Sequence, residues 1–600
     1  MSWIRTRFSG EGTARGDLLL LASVILVSYS PTLFSGLVSD DLMLLRRARE
    51  TPWSLAELAN SFRFGAADMT DGYTPYNFPQ FELHFFRPLY MAIMKLEYLV
   101  FGAWGGGYHV TNLILHFAVT TLLYFWTADF GFDRRKRLLA ALLFAVFVPN
   151  SFTVAWVSGR TELLAATLVI LSIMFMGRFY AQGKPWQYGV SFGAYLLALC
   201  SKESAVILPF WHALALLFLY PPQQKSLAAF ARRFAVISPL FLMLAPYFVI
   251  RNYALGGFPL PPEGMFYYHQ PSDPDFLPFL ISRIYHAPLA LFLQWPTFIV
   301  PSLFERCAPL LWIMPVIAVV FAVAILRWLP SPFRYFFACW IAFALAPTLN
   351  IGFNPVYFYM CSLVVPIAYL YLRDSLDASP RPWARKVSNH GVKVLVGYGV
   401  LYGFVSSLLF GLGSLEARTA ATDLARILRE KPAATNVYIF DVPWSQNTNI
   451  VPGARLLDES FARRRIMLMN PSIDAQGGTP SEVVRVDDKT LECRAQGGTY
   501  FTTGIEQAAF AEDIIPIVPG LRGEHEVYSV EIAEVAPSDA LRRESEVAKA
   551  IRDFLQMPAR EQVGATVLRY TLTKPLDSSD NLFLQMRDGR IHEIEDMAVR

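Results

Sequence analysis

The chain has 600 residues, of which 54% are hydrophobic and only 17% are charged, and its mean hydropathy is +0.35. Because a soluble domain carries about 25% charged residues, this composition excludes a soluble enzyme with a single anchor and indicates a polytopic α-helical membrane protein. The net charge of +3 is too small to indicate nucleic acid as a partner. The five cysteines form no CxxC pair and no cluster with histidine, so neither a disulfide framework nor a structural zinc site is predicted.

The hydropathy pattern predicts about eleven membrane-spanning helices, since each span needs about 20 apolar residues. The N-terminus carries Arg5, Arg7 and Arg15, and basic residues collect on the cytoplasmic side of membranes. We therefore expect the N-terminus inside and the first span leading outwards. In chain order the predicted spans lie at roughly 17–37, 108–127, 138–156, 162–177, 187–200, 205–220, 234–250, 309–327, 335–349, 357–372 and 393–412.

Two long segments are predicted to stay on the outer side. The first outer loop, 39–107, contains an apolar stretch with Lys95 and Glu97, which favours an interfacial helix over a span. The second, 251–306, is predicted as an outer or re-entrant segment, because a further span there would place the later basic loop "RPWARK" outside.

The composition changes sharply after the membrane part, 1–414. The C-terminal region, 415–600, is polar and contains no predicted span. Residues 539–556 have the periodicity of an amphipathic helix, and other segments alternate as strands do. We expect a compact extracytoplasmic α+β domain of roughly 180 residues. Its predicted strands include 436–443 and the segments "SEVVRVDD", "HEVYSVEIAEV" and "ATVLRYTLTK".

Two adjacent carboxylates, Asp40 and Asp41, follow Ser39 just after the first span. One interpretation is an N-cap with first-turn acids, which the helix dipole favours. The other is a general base beside a supporting or metal-binding neighbour, since two close carboxylates separate in pKa and role. The two interpretations are compatible, because a capped helix would hold the base rigidly.

Further charges stand at predicted span ends on the same outer side. The segment "SGRTE" contains Arg160 and Glu162, and "SKES" contains Lys202 and Glu203. One interpretation of each segment is an ion pair whose long side chains extend to the membrane surface. Together with Arg87, the cations would instead bind an anionic head group such as a phosphate.

One predicted helix face carries His109, Asn112 and His116, at positions i, i+3 and i+7. This pattern is typical either of a metal-binding or hydrogen-bonding face or, more often, of polar contacts between membrane helices.

Five motifs follow one another in a fixed order. They are "SDD" after the first span, "FFRPLYMAIMKLEYLVFG" (85–102), "GYHVTNLILHFAV" (107–119), "LLFAVFVPNSFTVAWVSGRTELLAA" (142–166) and "LLALCSKESAVILP" (196–209). Together they resemble the GT-C superfamily of membrane glycosyltransferases. Within it the chain is similar to the protein O-mannosyltransferase branch, which includes the transmembrane O-mannosyltransferases that act on cadherins and their bacterial relatives. The resemblance covers roughly 30–372 of this GT-C-like chain.

The resemblance implies transfer of a sugar from a polyprenyl-phosphate carrier to an acceptor hydroxyl on the outer side, usually with inversion. It implies that Asp40 or Asp41 deprotonates the acceptor. Adjacent positions at a helix start point in different directions, so the sequence leaves the choice open, and our interpretation takes Asp41 as the base. The other implied residues bind the carrier phosphate or the sugar, with the acids orienting the cations or the sugar: Arg87, His109, Arg160, Glu162, Lys202 and Glu203.

The chain departs from the family pattern in one late segment. The family often has an arginine in an "RYLYLP"-like stretch, whereas the matching residues 354–366 contain none. Part of the phosphate-binding set of the family therefore has no counterpart at this position.

These observations predict a multi-pass glycosyltransferase of the inner membrane, with a cytoplasmic N-terminus and a periplasmic C-terminal region. The expected partners are a polyprenyl-phosphate-linked sugar, the lipid bilayer and a protein, glycan or lipid acceptor. No cofactor follows from the sequence, and a divalent cation stays an open alternative. A flippase for lipid-linked sugars and a non-catalytic scaffold also stay open, although the chain lacks the inverted repeat and mid-span charges of many transporters.

Overall fold

The computed structural model describes most of the chain, including every residue predicted for the site. Ser39 and the predicted helix 539–556 lie outside the described residues. The described residues are 11–38, 40–65, 82–222, 226–255, 271, 276–294, 308–331, 333–349, 354–443, 449–470, 480–496, 499–500, 517–537, 563–594 and 597–599.

Within its described residues, the membrane part is almost entirely helical and has one short antiparallel pair of strands. In chain order its elements are α1 (Glu11–Tyr29), α2 (Asp40–Glu50), α3 (Leu55–Asn60), β1 (Arg63–Gly65), β2 (Glu82–His84), α4 (Pro88–Phe101), α5 (Gly105–Trp126), α6 (Arg134–Ala145), α7 (Asn150–Ala155), α8 (Arg160–Gln182), α9 (Pro185–Leu199), α10 (Leu208–Phe218), α11 (Leu227–Leu242), α12 (Leu244–Ala254), α13 (Phe276–Leu293), α14 (Ala308–Trp328), α15 (Phe333–Leu345), α16 (Tyr359–Ser362), α17 (Val365–Asp377) and α18 (Pro382–Glu430).

Each of the eleven predicted spans falls on a helix or on two consecutive helices. Within the described ranges, five helical stretches are long and apolar enough to cross a membrane, or up to six if a pair bent by 55° counts as one. These stretches identify a multi-pass helical membrane protein, and the number of eleven stays a prediction. They are Ala14–Phe34, Gly105–Phe130, Val157–Gln182, Leu227–Ala254 and Pro382–Glu430, with the bent pair Pro355–Ser362 and Val365–Asp377.

Glycines at the start of α5 bring this helix into direct contact with the segment that leads to α2. A Cβ at Gly105 would lie 2.8 Å from the Gly36 Cα, and one at Gly106 would lie 2.5 Å from the Leu33 carbonyl oxygen. The Gly36 amide also donates to the Ser414 hydroxyl at 2.8 Å. The chain before Asp40 is therefore fixed between α5 and α18.

Asp17 and Arg134 form an ion pair near the ends of α1 and α5 that are distant from Gly36. The Asp17 carboxylate accepts from the Arg134 guanidinium at 2.8 Å and from the Tyr124 hydroxyl at 2.8 Å. The 22 residues of α5 extend over about 33 Å. The Asp17 ion pair and Gly36 are thus separated by about the thickness of a bilayer core.

The described residues of the C-terminal region form two sheets and a hydrophobic core of their own. The 49-residue α18 continues into it from the membrane part, so the predicted boundary at 414/415 falls inside one helix. The predicted strands at 436–443 and in the three quoted segments are confirmed. The elements are β3 (Asn436–Phe440), α19 (Ile450–Leu457), β4 (Arg465–Leu468), β5 (Glu482–Arg485), β6 (Thr490–Arg494), β7 (Arg522–Glu524), β8 (Tyr528–Pro537), β9 (Val563–Leu572), β10 (Asn581–Arg587), β11 (Arg590–Glu593) and β12 (Ala598–Val599).

The smaller sheet has the order β11-β10-β3-β4, with β10, β3 and β4 parallel, and the larger has the order β12-β5-β6-β9-β8-β7. A buried polar group joins the two sheets. The Asp441 carboxylate, just after β3, accepts from Asn470, from Ser481 and from Gln585. Buried polar groups need such partners, so these bonds fix how the sheets pack.

Candidate active site

Asp40 and Asp41 are the first two residues of α2, and their surroundings differ. Asp41 is fully buried, and its carboxylate accepts from the Ser158 amide at 2.8 Å, the Ser158 hydroxyl at 2.5 Å and the Val38 amide at 3.2 Å. Burial raises the pKa of Asp41 to about 7, although these hydrogen bonds act in the opposite direction. Asp41 therefore joins α2 to the turn that precedes α8.

Asp40 is partly exposed, whereas Asp41 is fully buried. A general base has to come within hydrogen-bonding distance of the proton that it removes. Of the two carboxylates, Asp40 is the one that an acceptor can reach from outside the protein.

The other end of α2 is held by Lys95, which the sequence indicated only as a mark of an interfacial helix. Its buried ammonium donates to the carbonyl oxygens of Ala48 at 3.1 Å, Arg49 at 3.2 Å and Thr51 at 2.5 Å. The last carbonyls of a helix have no partner within it and carry partial negative charge. Lys95 thus caps α2 from α4.

Arg160 is completely buried and engaged on all sides. Its guanidinium donates to the Glu97 carboxylate, to Asn112 Oδ1 at 2.8 Å and to the Tyr108 carbonyl oxygen at 2.7 Å. These contacts join the start of α8 to α4 and α5. Glu97 is therefore, like Lys95, a buried charge of α4 that holds another element.

The other predicted cations form a separate cluster with the two predicted acids. Arg87 binds Glu203 through two nitrogens, at 3.1 Å and 2.9 Å, and its guanidinium carbon lies 4.4 Å and 4.5 Å from the ring centroids of Phe62 and Phe85. Bidentate pairing and aromatic stacking both fix the guanidinium plane.

Lys202 and Glu162 complete this cluster. The ammonium lies 2.5 Å from Glu162 Oε1 and 5.4 Å from the ring centroid of Tyr357. Both side chains are buried, and Lys202 is close enough to Arg87 and Glu203 to interact with them electrostatically. We call Arg87, Glu162, Lys202 and Glu203 the charged cluster.

Three buried atoms in or beside the charged cluster have no hydrogen-bond partner within the described part of the chain: Glu162 Oε2, Ser204 Oγ and Tyr247 Oη. The Tyr247 hydroxyl interacts electrostatically with both Glu203 and Arg87. A buried polar atom without a partner costs free energy, so each of these atoms is available for a hydrogen bond with water or with a polar group of a ligand.

The face with His109, Asn112 and His116 is engaged in contacts between segments. The two His116 nitrogens contact the Tyr359 hydroxyl at 2.7 Å and the Ala145 carbonyl oxygen at 2.9 Å. His109 Nε2 lies 3.1 Å from the Gly36 carbonyl oxygen, while its Nδ1 has no partner among the described residues. Across the described ranges, no group of three or more His, Cys, Asp or Glu side chains could hold a metal ion.

An apolar cavity of about 250 Å³ lies between α13, α15 and the turn Pro355–Phe358. Leu291, Leu345 and Tyr357 are among the side chains that line it. A smaller cavity shares Phe292 and Ile341 with the first and extends towards α14 and α17. We call the first of these cavities the apolar groove. Because Tyr357 also lies beside Lys202, the groove ends at the charged cluster.

The structure thus brings together four of the eight predicted site residues, Arg87, Glu162, Lys202 and Glu203. Asp41 and Arg160 lie in buried networks of their own, and His109 contacts the segment before α2. Sequence reasoning missed Lys95 and Tyr357. The charge of Lys95 in an apolar stretch was a signal, whereas nothing local distinguishes Tyr357.

The fold and the site define a multi-pass membrane protein with a charged cluster at the end of an apolar groove. No family model matches the chain. Among curated proteins it is similar to Protein O-mannosyl-transferase TMTC3 of Mus musculus, with 28% identity over 160 residues, which are 26% of this chain and 16% of the relative. It is also similar to TMTC1 of Mus musculus, with 30% identity over 175 residues, which are 28% of this chain and 17% of the relative.

The matches span less than a fifth of the length of these two relatives. Over that part, the predicted resemblance to protein O-mannosyltransferases is confirmed. Among solved structures, the crystal structure of ArnT from Cupriavidus metallidurans bound to undecaprenyl phosphate is 13% identical and has a TM-score of 0.39, covering 76% of this chain and 86% of that one. That score is too low to establish a common fold.

Proposed function

We propose that this chain is a membrane glycosyltransferase that transfers a sugar from a polyprenyl-phosphate carrier to a hydroxyl of a protein, glycan or lipid. The names of its curated relatives support the class of reaction. The observation that carries the proposal is the position of Tyr357, which lines the apolar groove and also lies 5.4 Å from the Lys202 ammonium. A donor with an apolar chain and an anionic head group matches such a junction.

The proposed reaction uses one carboxylate and two cations. Asp40 takes the proton of the acceptor hydroxyl as its oxygen attacks the anomeric carbon. The bond from this carbon to the phosphate oxygen breaks, and polyprenyl phosphate leaves with the electron pair. Lys202 and Arg87 stabilise the charge that develops on this phosphate. Attack opposite to the leaving group inverts the anomeric configuration.

The acids of the charged cluster have a different task in this proposal. Glu162 Oε1 holds Lys202, and Glu162 Oε2, which has no partner within the described residues, accepts a hydrogen bond from a hydroxyl group of the sugar. Glu203 fixes the Arg87 guanidinium through its bidentate contact. We assign Asp41 to support rather than to proton transfer, because it is fully buried and both of its carboxylate oxygens accept hydrogen bonds from the protein.

We further propose an inner-membrane location with the N-terminus in the cytoplasm and the C-terminal region in the periplasm. Arg134 and the basic residues that follow it lie at the end of α5 that is distant from α2. Basic residues mark the cytoplasmic side, so α2 and the charged cluster would face the periplasm.

Asp40→Asn tests the proposed function. We expect transfer of labelled sugar from undecaprenyl-phosphate-mannose to an envelope extract to fall by about 100-fold or more, since an amide cannot take the proton. The purified chain in nanodiscs is incubated with the donor and the extract. The labelled sugar in the protein, glycan and lipid fractions is then measured.

The same assay separates the other functions. Donor that crosses the bilayer of proteoliposomes without any product would indicate a flippase. Neither binding nor transfer of any polyprenyl-phosphate sugar by the wild type would indicate a scaffold. Full transfer by Asp40→Asn would remove Asp40 as the base.

A further inference from the structure

A short helix of the C-terminal region contacts the helix that carries the two aspartates. Leu456 of α19 packs against the core formed by α2 and α4. A Cβ at Gly453 would lie 3.6 Å from the Leu42 Cδ1 and 2.9 Å from the Ala421 Cβ. At the end of the same contact, Arg49 forms an ion pair with Glu459 at 3.1 Å. α19 therefore fills the space between α2 and α18.

An 11-residue helix such as α2 is marginal in water without packing. Asp41 fixes its first turn, and Lys95 caps its last turn. These two contacts hold the ends, and α19 adds apolar packing against the side of the helix through Gly453 and Leu456. The support for α2 thus includes residues more than 400 positions later in the chain.

The C-terminal region is itself attached firmly to α18. The Arg590 guanidinium binds both carboxylate oxygens of Asp423, at 2.8 Å and 2.9 Å. On the same helix, α18, the Ser414 hydroxyl accepts a hydrogen bond from the Gly36 amide. A shift of the C-terminal sheets would therefore reach the start of α2 through α18 and its middle through α19.

We propose that the C-terminal region positions the catalytic helix, with Leu456 as the positioning residue on α19. This inference rests on the proposed function, because it assigns the region a task in aiming Asp40 at the acceptor. The region is then part of the transferase and not a separate binding module. Misplacing a reacting group by about 1 Å can lower a rate by about 100-fold, so a moderate loss of packing affects the chemical step.

Leu456→Ala tests the inference, with Leu457→Ala as the matched control, since Leu457 is 49% exposed on the same helix. We expect Leu456→Ala to lower kcat by about tenfold, with an unchanged KM for undecaprenyl-phosphate-mannose. Hydrogen exchange of the α2 peptide should become faster in the same variant. Leu457→Ala should match the wild type in both measurements.

Leu456→Met keeps the volume and should restore kcat, which a role limited to overall stability would not require. If Leu456→Ala does not fold, Gly453→Ala tests the placement of α19 against α2 instead, because the added Cβ lies too close to Ala421 of α18 and so shifts α19. Equal kcat and equal α2 exchange in the Leu456 and Leu457 variants overturn the inference alone. Full transfer by Asp40→Asn instead removes Asp40 as the base, and absence of any transfer by the wild type overturns the proposed function. Either result removes the catalytic part of the inference.

Discussion

At the scale of single residues, the fold separates side chains that the sequence presents as equivalent. Arg160 and Glu162 stand two positions apart on α8, and residues at i and i+2 do not share a helix face. Arg160 accordingly binds Glu97, whereas Glu162 binds Lys202. Helical geometry alone could have predicted that separation, but not the partners, which lie 63 and 40 positions away in sequence.

Asp41 should make the stability of the chain depend on pH. Its pKa of about 7 in the folded state exceeds the value of about 4 expected when unfolded. The folded state then binds more protons between these values, so the contribution of Asp41 is fully present below about pH 4 and is lost as the pH rises to about 7. We expect Asp41→Asn to abolish this part of the dependence.

The measurement is the thermal unfolding midpoint of both chains in detergent at pH 4 to 8. All other titrating groups are shared, so the advantage of the wild type over Asp41→Asn isolates residue 41. This difference in unfolding midpoint should shrink as the pH rises from about 4 to about 7, and it should stay constant above pH 7. A difference that does not change with pH would show that Asp41 titrates near its ordinary value.

At the scale of elements, α4 does more than the sequence indicated. Lys95 and Glu97 were read as signs of an interfacial helix, and the outward Leu96 and Leu99 are indeed exposed. Yet the two charges are buried, and each holds a different neighbour, α2 or α8. The positions of helices follow from local apolar runs. Buried ion pairs and caps depend on distant partners, so a single sequence does not give them.

Lys95→Met should destabilise α2. The methionine keeps most of the apolar stem but leaves three helix-end carbonyl oxygens without the ammonium. We expect a loss of about 2 kcal/mol, since hydrogen bonds from charged donors contribute about 1.5–3 kcal/mol. Denaturant unfolding of the purified chain measures this loss, and hydrogen exchange of the α2 peptide locates it.

Leu96→Ala is the control, because Leu96 is 54% exposed on the same helix. Exposed substitutions of this kind change stability by less than about 0.5 kcal/mol. A Lys95→Met chain as stable as the control, with unchanged exchange in α2, would show that the cap is dispensable.

At the scale of the whole molecule, the apolar groove and the charged cluster come from parts of the chain that are far apart. The groove is lined by residues from 287 onwards, whereas the charged cluster lies between residues 87 and 203. The ordered motifs predicted the residues of the charged cluster, because four of the five motifs contain charged residues in or beside an apolar stretch. The missing arginine at 354–366 indicated a departure there, and the structure has Tyr357 of this segment beside Lys202.

Filling the groove should weaken binding of long-chain donors while leaving the chemistry intact. Leu345→Trp puts a larger side chain into the 250 Å³ cavity, so a polyprenyl chain loses apolar contact there. We expect the KM for undecaprenyl-phosphate-mannose to rise by about tenfold, which corresponds to about 1.4 kcal/mol. The KM for a donor with a methyl group in place of the polyprenyl chain should change little, because this donor places no apolar chain in the groove.

The matched control is Val320→Trp, which adds a tryptophan where the side chain is 62% exposed on α14. It should leave both KM values as in the wild type, which excludes a general effect of an added aromatic ring. If Leu345→Trp instead raises both KM values equally, the groove does not hold the carrier chain. A fall in kcat with constant KM would show that Leu345 maintains the geometry of the active site. The carrier lipid would then bind elsewhere.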